Sequence, residues 1–348
     1  MDNEKFIFEN LANEYIESVS KIKKSSTIDQ YKRKLRRNLL PNFAKRNILE
    51  IEYQELLDWK KALDNKQVSF DYKEHFYSLF IDIYTYAKKK YEITNIAFEK
   101  LEPFHNNPNE IRKIPEQTQF HFWTLDQFLK YIECVDQAIF YTSRNKKYQK
   151  KFKQYLKLKI ISYLCYYAGL RIGEASVLQV KDFKKADDHY YLEINKTLYT
   201  DEFFNEKESA ERFSITSPKT KSSYRNVPVP AVLSDFLLEL IDKYKLTSDF
   251  YFVSLSKDLC SNNNLNKLKN LIEKRNNLEH IRFHDFRHSF ATLLINSGES
   301  IETISKLLGH ANASMTYNIY YHLLPEKAQK AVMKIDDLVK QTKEKDNE

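Results

Sequence analysis

The stretch FHDFRHSFATLLINSG, residues 283–298, carries the strongest structural signal in this chain of 348 residues. It predicts a helix that Gly298 closes, because glycine is the usual residue just after a helix end. His284 and Arg287 are three residues apart, so both project from one face of that helix. A guanidinium can grip two oxygens of a phosphate at once. The stretch therefore predicts a helix with an anion-binding face.

The same stretch contains part of a zinc-protease pattern. His284 and His288 are four residues apart, as in H-E-x-x-H, but the shorter Asp285 stands where glutamate would act as general base. Arg287 on the same helix would repel a dication, and no further ligand follows at the expected spacing. The sequence therefore disfavours a zinc hydrolase, and no metal site is predicted.

Three more segments place cations or imidazoles beside turn residues. They are AGLRIGEASVL (168–178) with Arg171, SPKTKSSYRNVPV (217–229) with Lys219 and Lys221 at a predicted hairpin turn, and LLGHANASMTYNIYYHLLPE (307–326) with His310 and Tyr320. Taken alone, each segment is also compatible with a helix corner or a solvated turn. Taken together, they supply the cations, the imidazoles and the hydroxyl that one phosphate site needs.

The combination predicts phosphoryl transfer without a metal or any other cofactor. Arg171 and Arg287 would stabilise the extra charge of a pentavalent transition state. His310 follows Gly309 at a helix end and could bond to the same phosphate. Tyr320 would supply the nucleophile, because a tyrosine that attacks phosphorus leaves a covalent phosphotyrosyl link. That link keeps the energy of the phosphodiester bond, so religation needs no ATP.

The order of these residues resembles the tyrosine recombinase (phage integrase) family over roughly residues 120–335. The matching positions are Arg171, the turn lysine Lys219, the His284-x-x-Arg287 pair, the Leu308-Gly309-His310 turn and Tyr320. The resemblance implies a site-specific recombinase that cuts and rejoins duplex DNA through a 3′-phosphotyrosyl intermediate and a Holliday junction. It also implies a tetramer on synapsed DNA, accessory directionality proteins, and a cytoplasmic location at the nucleoid.

The resemblance further implies a role for each residue. Tyr320 would be the nucleophile, and Arg171, Arg287 and His310 would stabilise the phosphate. Lys219 would be the general acid, and His284 would assist proton transfer from the tyrosine. Glu174 is expected to orient the helix of Arg171, and His288 is expected to be structural.

Two of these assignments have close competitors. Lys219 and Lys221 would face the same way on a strand, and Lys219 is preferred because the family's lysine usually stands early in this turn. Tyr317 and Tyr321 lie close to Tyr320 in the sequence. The Tyr-x-His-Leu pattern that is frequent in the family favours Tyr320.

The chain as a whole predicts a mainly α protein with a small antiparallel β-sheet. Residues 1–102 predict an all-α domain, and the resemblance identifies it with the family's SAM-like core-binding domain. Residues 103–119 have the prolines and asparagines of a linker. Residues 120–325 predict an α+β catalytic domain. Residues 326–348 predict a terminal helix, and the resemblance implies that it docks on a neighbouring protomer.

The predicted sheet belongs to the catalytic domain. Short strands are expected at residues 190–196, 212–217 and 224–229, where β-branched and aromatic residues cluster. The residues between the first two strands, 197–211, are expected to form an inserted loop.

A basic amphipathic helix is predicted over residues 25–43, with an apolar stripe that begins at Ile28. Its polar side carries Lys32, Arg33, Lys34, Arg36 and Arg37. Pro41 is expected to end or kink the helix. So many cations with one acid nearby favour contact with DNA phosphates, while a solvated face or a membrane surface is the alternative.

Composition limits the classes of function. Only 4 glycines occur, which argues against the glycine-rich loops that hold nucleotides. The net charge of +8 favours polyanionic partners. Three scattered cysteines predict reduced thiols, and neither a long apolar run nor a signal-like start is present. A type IB-like topoisomerase and a non-catalytic DNA-binding regulator remain as alternatives.

Overall fold

The computed structural model describes residues 3–66, 68–105, 121–200, 213–218, 220–260, 262 and 264–321. These residues fall into two compact units, one within 3–105 and the other within 121–321. The predicted fold class is confirmed, because helices dominate and the strands form small antiparallel sheets.

Helices are the main regular elements among the described residues of the first unit. Its helices are α1 (Phe8–Ser20), α2 (Ser25–Lys34), α3 (Leu40–Phe43), α4 (Tyr53–Asp64), α5 (Phe70–Tyr91) and α6 (Ile96–Glu99). Aromatic rings from four segments meet at Phe80 of α5, with Phe43 at 4.8 Å, Phe8 at 5.1 Å and Trp59 at 5.3 Å between ring centroids. The aromatic stripe of α5 is therefore core, as its helical spacing predicts.

The basic segment continues two residues past Pro41. Between α2 and α3, Leu35–Leu39 forms a widened π-helical turn, and Pro41 lies in the first turn of α3. A first-turn proline is tolerated because its missing N–H would have no helical partner. Of the two outcomes expected at Pro41, the end of the helix is therefore wrong, and the irregularity lies in the turn before the proline.

The second unit is built around a central helix. Its helices are α7 (Leu125–Ser143), α8 (Gln149–Tyr167), α9 (Ile172–Ser176), α10 (Ala231–Tyr244), α11 (Leu265–Arg275), α12 (Phe283–Asn296), α13 (Ile301–Leu308) and α14 (Ala313–Tyr320). Helix α8 is buried along most of its length and packs against α7, α10, α11 and α12. Thr124 caps α7 through a capping box with Gln127.

Two small antiparallel sheets complete the second unit. Strands β1 (Phe183–Ala186), β2 (His189–Ile194) and β5 (Arg225–Val229) form one sheet in that order. Strands β3 (Thr197–Thr200) and β4 (Phe213–Thr216) form the other. The three predicted strands are present, with small shifts at their ends.

The sheets correct two predictions from the sequence. Residues 197–200 belong to a strand and not to a loop, because the β-branched and aromatic residues of TLYT pair with β4. Strand β4 pairs with β3 whereas β5 pairs with β2, so the residues between β4 and β5 connect two sheets and do not form a hairpin turn.

Several predictions lie outside the described residues. They are most of the linker at 103–119, residues 201–211 of the predicted loop, Lys219, His322, and the terminal helix at 326–348. In the part of the chain that the structure covers, no helix is long and apolar enough to cross a membrane.

Candidate active site

The turn after α8 brings Arg171 to its position. Gly169 has a φ of +62°, which is left-handed backbone, and a Cβ there would lie 2.5 Å from the Phe290 ring. The Gly169 carbonyl accepts a hydrogen bond from Arg287 Nη1 at 2.8 Å. Arg171 then stands directly before α9. The glycine thus lets the chain turn tightly enough to place both arginines at one location.

Glu174 forms ion pairs with two arginines. Its carboxylate accepts from Arg171 Nη1 at 2.8 Å and from Arg225 Nη2 at 2.9 Å, and its side chain is buried. Burial alone would raise the pKa of Glu174, but bonds and charge from Arg225, together with the charge of Arg171, lower it to about 2. These contacts support the prediction that Glu174 orients the helix of Arg171.

Arg225 and Arg287 hold the end of α13. Arg225 Nε donates to the Leu307 carbonyl at 2.7 Å, and Arg287 Nη2 donates to the Leu308 carbonyl. The last carbonyls of a helix have no partner within the helix, so these bonds fix its end. Arg225 is not among the residues that the sequence patterns predict for the site. Its position on β5 gave no signal, because its partners are 51 and 82 residues away.

The glycine turn after α13 presents His310. Gly309 is left-handed, with a φ of +67°, and a Cβ on it would lie 2.9 Å from the Ser222 carbonyl oxygen. His310 Nδ1 lies 2.7 Å from Thr316 Oγ1, which fixes the ring. Burial and the charges of Arg287 and Arg171 lower the pKa of His310 to about 4. At neutral pH this imidazole is therefore uncharged.

Arg287 is the most deeply placed cation of the site. Its residue is only 2% exposed. Burial, with repulsion from Arg171 and Arg225, lowers its pKa to about 9. The guanidiniums of Arg171, Arg225 and Arg287 therefore act on one another, and the carboxylate of Glu174 bonds to the first two. Such an excess of positive charge in a desolvated site stabilises a bound anion.

Tyr320 lies in the same unit and contacts a histidine. Its residue is 1% exposed, and its hydroxyl oxygen lies 2.7 Å from His288 Nδ1. Burial raises the pKa of Tyr320, while the charge of Arg287 opposes that shift. Burial and the neighbouring His284 lower the pKa of His288 to about 4. His288 was expected to be only structural, yet it touches the proposed nucleophile.

The remaining described residues that the sequence predicts for this site, or offers as competitors, are exposed. His284 is exposed on α12, and its ring packs edge-on against His288 with 4.8 Å between centroids. Lys219 lies outside the described residues, whereas Lys221 is exposed in the 3-10 turn Lys221–Ser223. Tyr317 and Tyr321 are both more than half exposed, in contrast to Tyr320.

The basic helix of the first unit borders a small cavity. A space of about 220 Å³ is lined by Arg33, Lys34 and Arg37, together with Tyr72 and His75 of α5. Arg36 and Arg37 are exposed, whereas Lys32, Arg33 and Lys34 are partly buried. The cations predicted to contact DNA are therefore available to a polyanion to different degrees.

The residues of the partial zinc pattern make other contacts. Among the described residues, no group of three or more His, Cys, Asp and Glu side chains could hold a metal ion. His288 of the partial zinc pattern contacts Tyr320, and Asp285 bonds to Arg282.

Comparison with known protein families assigns the chain to a class of enzyme, the DNA strand transferases. Residues 141–327 match the model described as the phage integrase family. This match covers more than half of the chain. The chain belongs to the phage integrase family, which is the family of tyrosine recombinases.

Individual relatives agree with this assignment. The chain is 28% identical to the ICEBs1 integrase of Bacillus subtilis (strain 168), over 95% of this chain and 83% of the relative. It is 32% identical to a XerC-like tyrosine recombinase of Caldanaerobacter subterraneus, over 54% of this chain and 52% of the relative. The fold matches the Tn1549 transposon integrase in complex with transposon right end DNA, with a TM-score of 0.62, 17% identity, and coverage of 95% and 99% of the two chains.

Proposed function

We propose that this recombinase cuts and rejoins duplex DNA at specific sites through a 3′-phosphotyrosyl intermediate and a Holliday junction, with Tyr320 as nucleophile. The observation that carries the proposal is the clustering of three guanidiniums in the unit that holds a buried tyrosine. Arg171, Arg287 and His310 would bind the scissile phosphate. The negative charge of a bound phosphate would balance the excess positive charge of Arg171, Arg225 and Arg287.

Two further roles follow the family pattern. Lys219 would protonate the leaving 5′-oxygen, with Lys221 as its competitor. His284, exposed beside His288, would assist at the phosphate and in proton transfer. Desolvation and the charge of Arg287 lower the pKa of His284, and the pKa of His310 is lowered to about 4. Neutral imidazoles at both positions would bond to a phosphate without repelling the arginines.

The proposal also covers domains and partners. Residues 1–102 would bind DNA through Lys32, Arg33, Lys34, Arg36 and Arg37, and residues 120–325 would hold the chemistry. Because the substrate is duplex DNA, the proposed place of action is the nucleoid in the bacterial cytoplasm. Accessory directionality proteins would set the direction of the reaction. Several relatives are named integrases or transposases, which favours a mobile-element role.

The proposed assembly is a tetramer on synapsed DNA. A solved structure with a similar fold is a λ integrase tetramer bound to a Holliday junction. In this chain, a groove of about 600 Å³ at the ends of α12, α13 and α14 includes Ile295, Ile301 and Tyr317. We propose that it receives the predicted helix at 326–348 of a neighbouring protomer. Deleting 326–348 should then prevent tetramers on a synthetic Holliday junction, which sedimentation analysis would measure.

A covalent-trapping assay tests the chemistry. Sequencing of DNA crosslinked to the protein identifies the site, and a nicked duplex that carries this site is the substrate. The wild-type chain should attach covalently and Tyr320→Phe should not. Attachment by the Phe variant would show that another tyrosine is the nucleophile. Lys219→Ala should slow cleavage far more than Lys221→Ala, and the reverse order would move the general acid to Lys221.

A plasmid assay separates the proposal from the topoisomerase alternative. A recombinase should join two plasmids only when both carry the identified site. Efficient relaxation of supercoiled plasmid without that site, together with failure to recombine, would favour the topoisomerase. Absence of any covalent complex would favour a non-catalytic regulator.

A further inference from the structure

We propose that His288 is the group that takes the proton from Tyr320 when its hydroxyl attacks the phosphate. This inference rests on the proposed function and refines it at one step. The family pattern assigns help with this proton to His284. In this chain, the hydroxyl of the proposed nucleophile is bonded to a different histidine.

The contact is direct and buried. Tyr320 Oη and His288 Nδ1 are 2.7 Å apart, and the two residues are 1% and 7% exposed. The bond joins α12 to α14 across 32 residues of sequence. A small apolar core next to it, which includes Phe290, Ile304 and Leu308, holds Tyr320 in place. A catalytic base must lie within hydrogen-bond reach of the proton it removes, and His288 does.

His288 is in the protonation state that this role needs. Its pKa is lowered to about 4, first by burial and then by the neighbouring His284, so it is neutral at pH 7. With the ring proton on Nε2, Nδ1 has a lone pair directed at the Tyr320 hydroxyl. Burial raises the pKa of Tyr320, so its phenolate does not form in advance. The proton must therefore leave as the attack proceeds, and it needs an acceptor in contact with the oxygen.

The step balances in atoms and charge. The Tyr320 O–H bond breaks and its proton moves to His288 Nδ1, while the Oη–P bond forms. The P–O5′ bond breaks, and the 5′-oxygen takes a proton from Lys219. Among the charges that act on His288, the buried carboxylate of Asp285 favours the resulting imidazolium, whereas His284, Arg287 and Arg282 oppose it. When the DNA is rejoined, the same proton transfers occur in reverse, which regenerates His288 and Lys219.

His284 complements this arrangement. Its ring packs edge-on against His288, and it is exposed where His288 is buried. Of the two histidines, therefore, only His284 is accessible to solvent. His284 would act from there on the phosphate, while His288 handles the nucleophile's proton.

The test isolates attack by the tyrosine. The substrate is the nicked duplex with the identified site, in which sulfur replaces the bridging 5′-oxygen of the scissile phosphate. Because a thiolate leaves without being protonated, the rate of covalent attachment no longer depends on Lys219. In the full-length chain, His288→Asn and His288→Gln should each slow attachment by about 100-fold, the size expected for loss of a general base. His121→Asn is the matched control, since His121 is exposed and paired with Glu279, and its rate should equal that of the wild type.

A second measurement distinguishes proton transfer from a purely structural role. A fluorinated tyrosine at position 320 has a more acidic phenol, so its attack depends less on a base. The defect of both His288 variants should then shrink from about 100-fold to below about 10-fold. A structural defect would keep the same ratio with either tyrosine, because it does not depend on phenol acidity.

Different outcomes contradict the role of His288 and the proposed function. Attachment by the His288 variants at the wild-type rate, or an unchanged ratio with the fluorinated tyrosine, would overturn the role of His288 and leave the proposed function intact. Faster attachment by the variants would also overturn it, because His288 would then be restraining the hydroxyl. If the wild-type chain itself fails to attach, or if Tyr320→Phe attaches, the proposed function fails instead.

Discussion

At the scale of single residues, the charge on Glu174 is the clearest source of both stability and pH dependence. Its folded pKa of about 2 lies below the ordinary value of 4.5, so the carboxylate stabilises the folded state above pH 4.5. This contribution is lost as the pH falls towards 2. The shift corresponds to about 3 kcal/mol. Glu174→Gln should therefore lower the free energy of unfolding by about 3 kcal/mol at pH 7 and by much less near pH 3.

Urea denaturation of both proteins at the two pH values measures this difference. Asp188→Asn is the control, because Asp188 is an exposed acid of the same unit and should show no comparable loss. An equal loss from Glu174→Gln at both pH values would mean that side-chain packing, and not the ion pairs with Arg171 and Arg225, sets the effect.

At the scale of elements, the turn from α13 to His310 depends on a glycine for two reasons. Gly309 is left-handed, and a Cβ would lie 2.9 Å from the Ser222 carbonyl oxygen. Left-handed backbone alone costs an alanine about 1 kcal/mol, and overpacking adds about 1–3 kcal/mol. Gly309→Ala should therefore lower the free energy of unfolding by at least about 2 kcal/mol. It should also slow covalent attachment to DNA, because His310 is displaced.

Lys245 supplies the matched comparison. It ends α10 in a left-handed conformation with a φ of 50°, and its side chain is 81% exposed. The difference in stability between Lys245→Ala and Lys245→Gly therefore measures the backbone cost without crowding. If Gly309→Ala costs no more than that difference, the contact with Ser222 has no energetic importance.

The elements also show what sequence patterns can and cannot predict. Helix α12 and its end were predictable, because periodicity and Gly298 are local signals. The roles of β3 and Arg225 were not. Strand β3 is only four residues long and is stabilised by pairing with β4. Arg225 gains its place from bonds to Glu174 and to the Leu307 carbonyl, which no local pattern encodes.

The same distinction applies to the nucleophile's partner. His284 and Arg287 could be selected because their spacing places them on one helix face. The contact between His288 and Tyr320 depends on how α12 packs against α14, and a single sequence does not specify that packing. The sequence therefore predicted which chemical groups take part, while the structure was needed to pair them.

At the scale of the whole molecule, the net charge of +8 raises the question of whether DNA affinity depends on total charge or on one helix. We expect the basic segment to dominate, because Arg36 and Arg37 are exposed and Arg37 also lines its cavity. Arg36→Gln with Arg37→Gln should make the slope of log affinity against log salt shallower by about 2, since each lost phosphate contact contributes about 0.9.

Lys61→Gln with Lys89→Gln removes the same charge from exposed positions on α4 and α5 and should change the slope little. Fluorescence anisotropy with a random-sequence duplex, across a series of salt concentrations, measures both slopes. Equal changes from the two pairs would mean that the long-range field of the protein governs binding, and not contact by this helix.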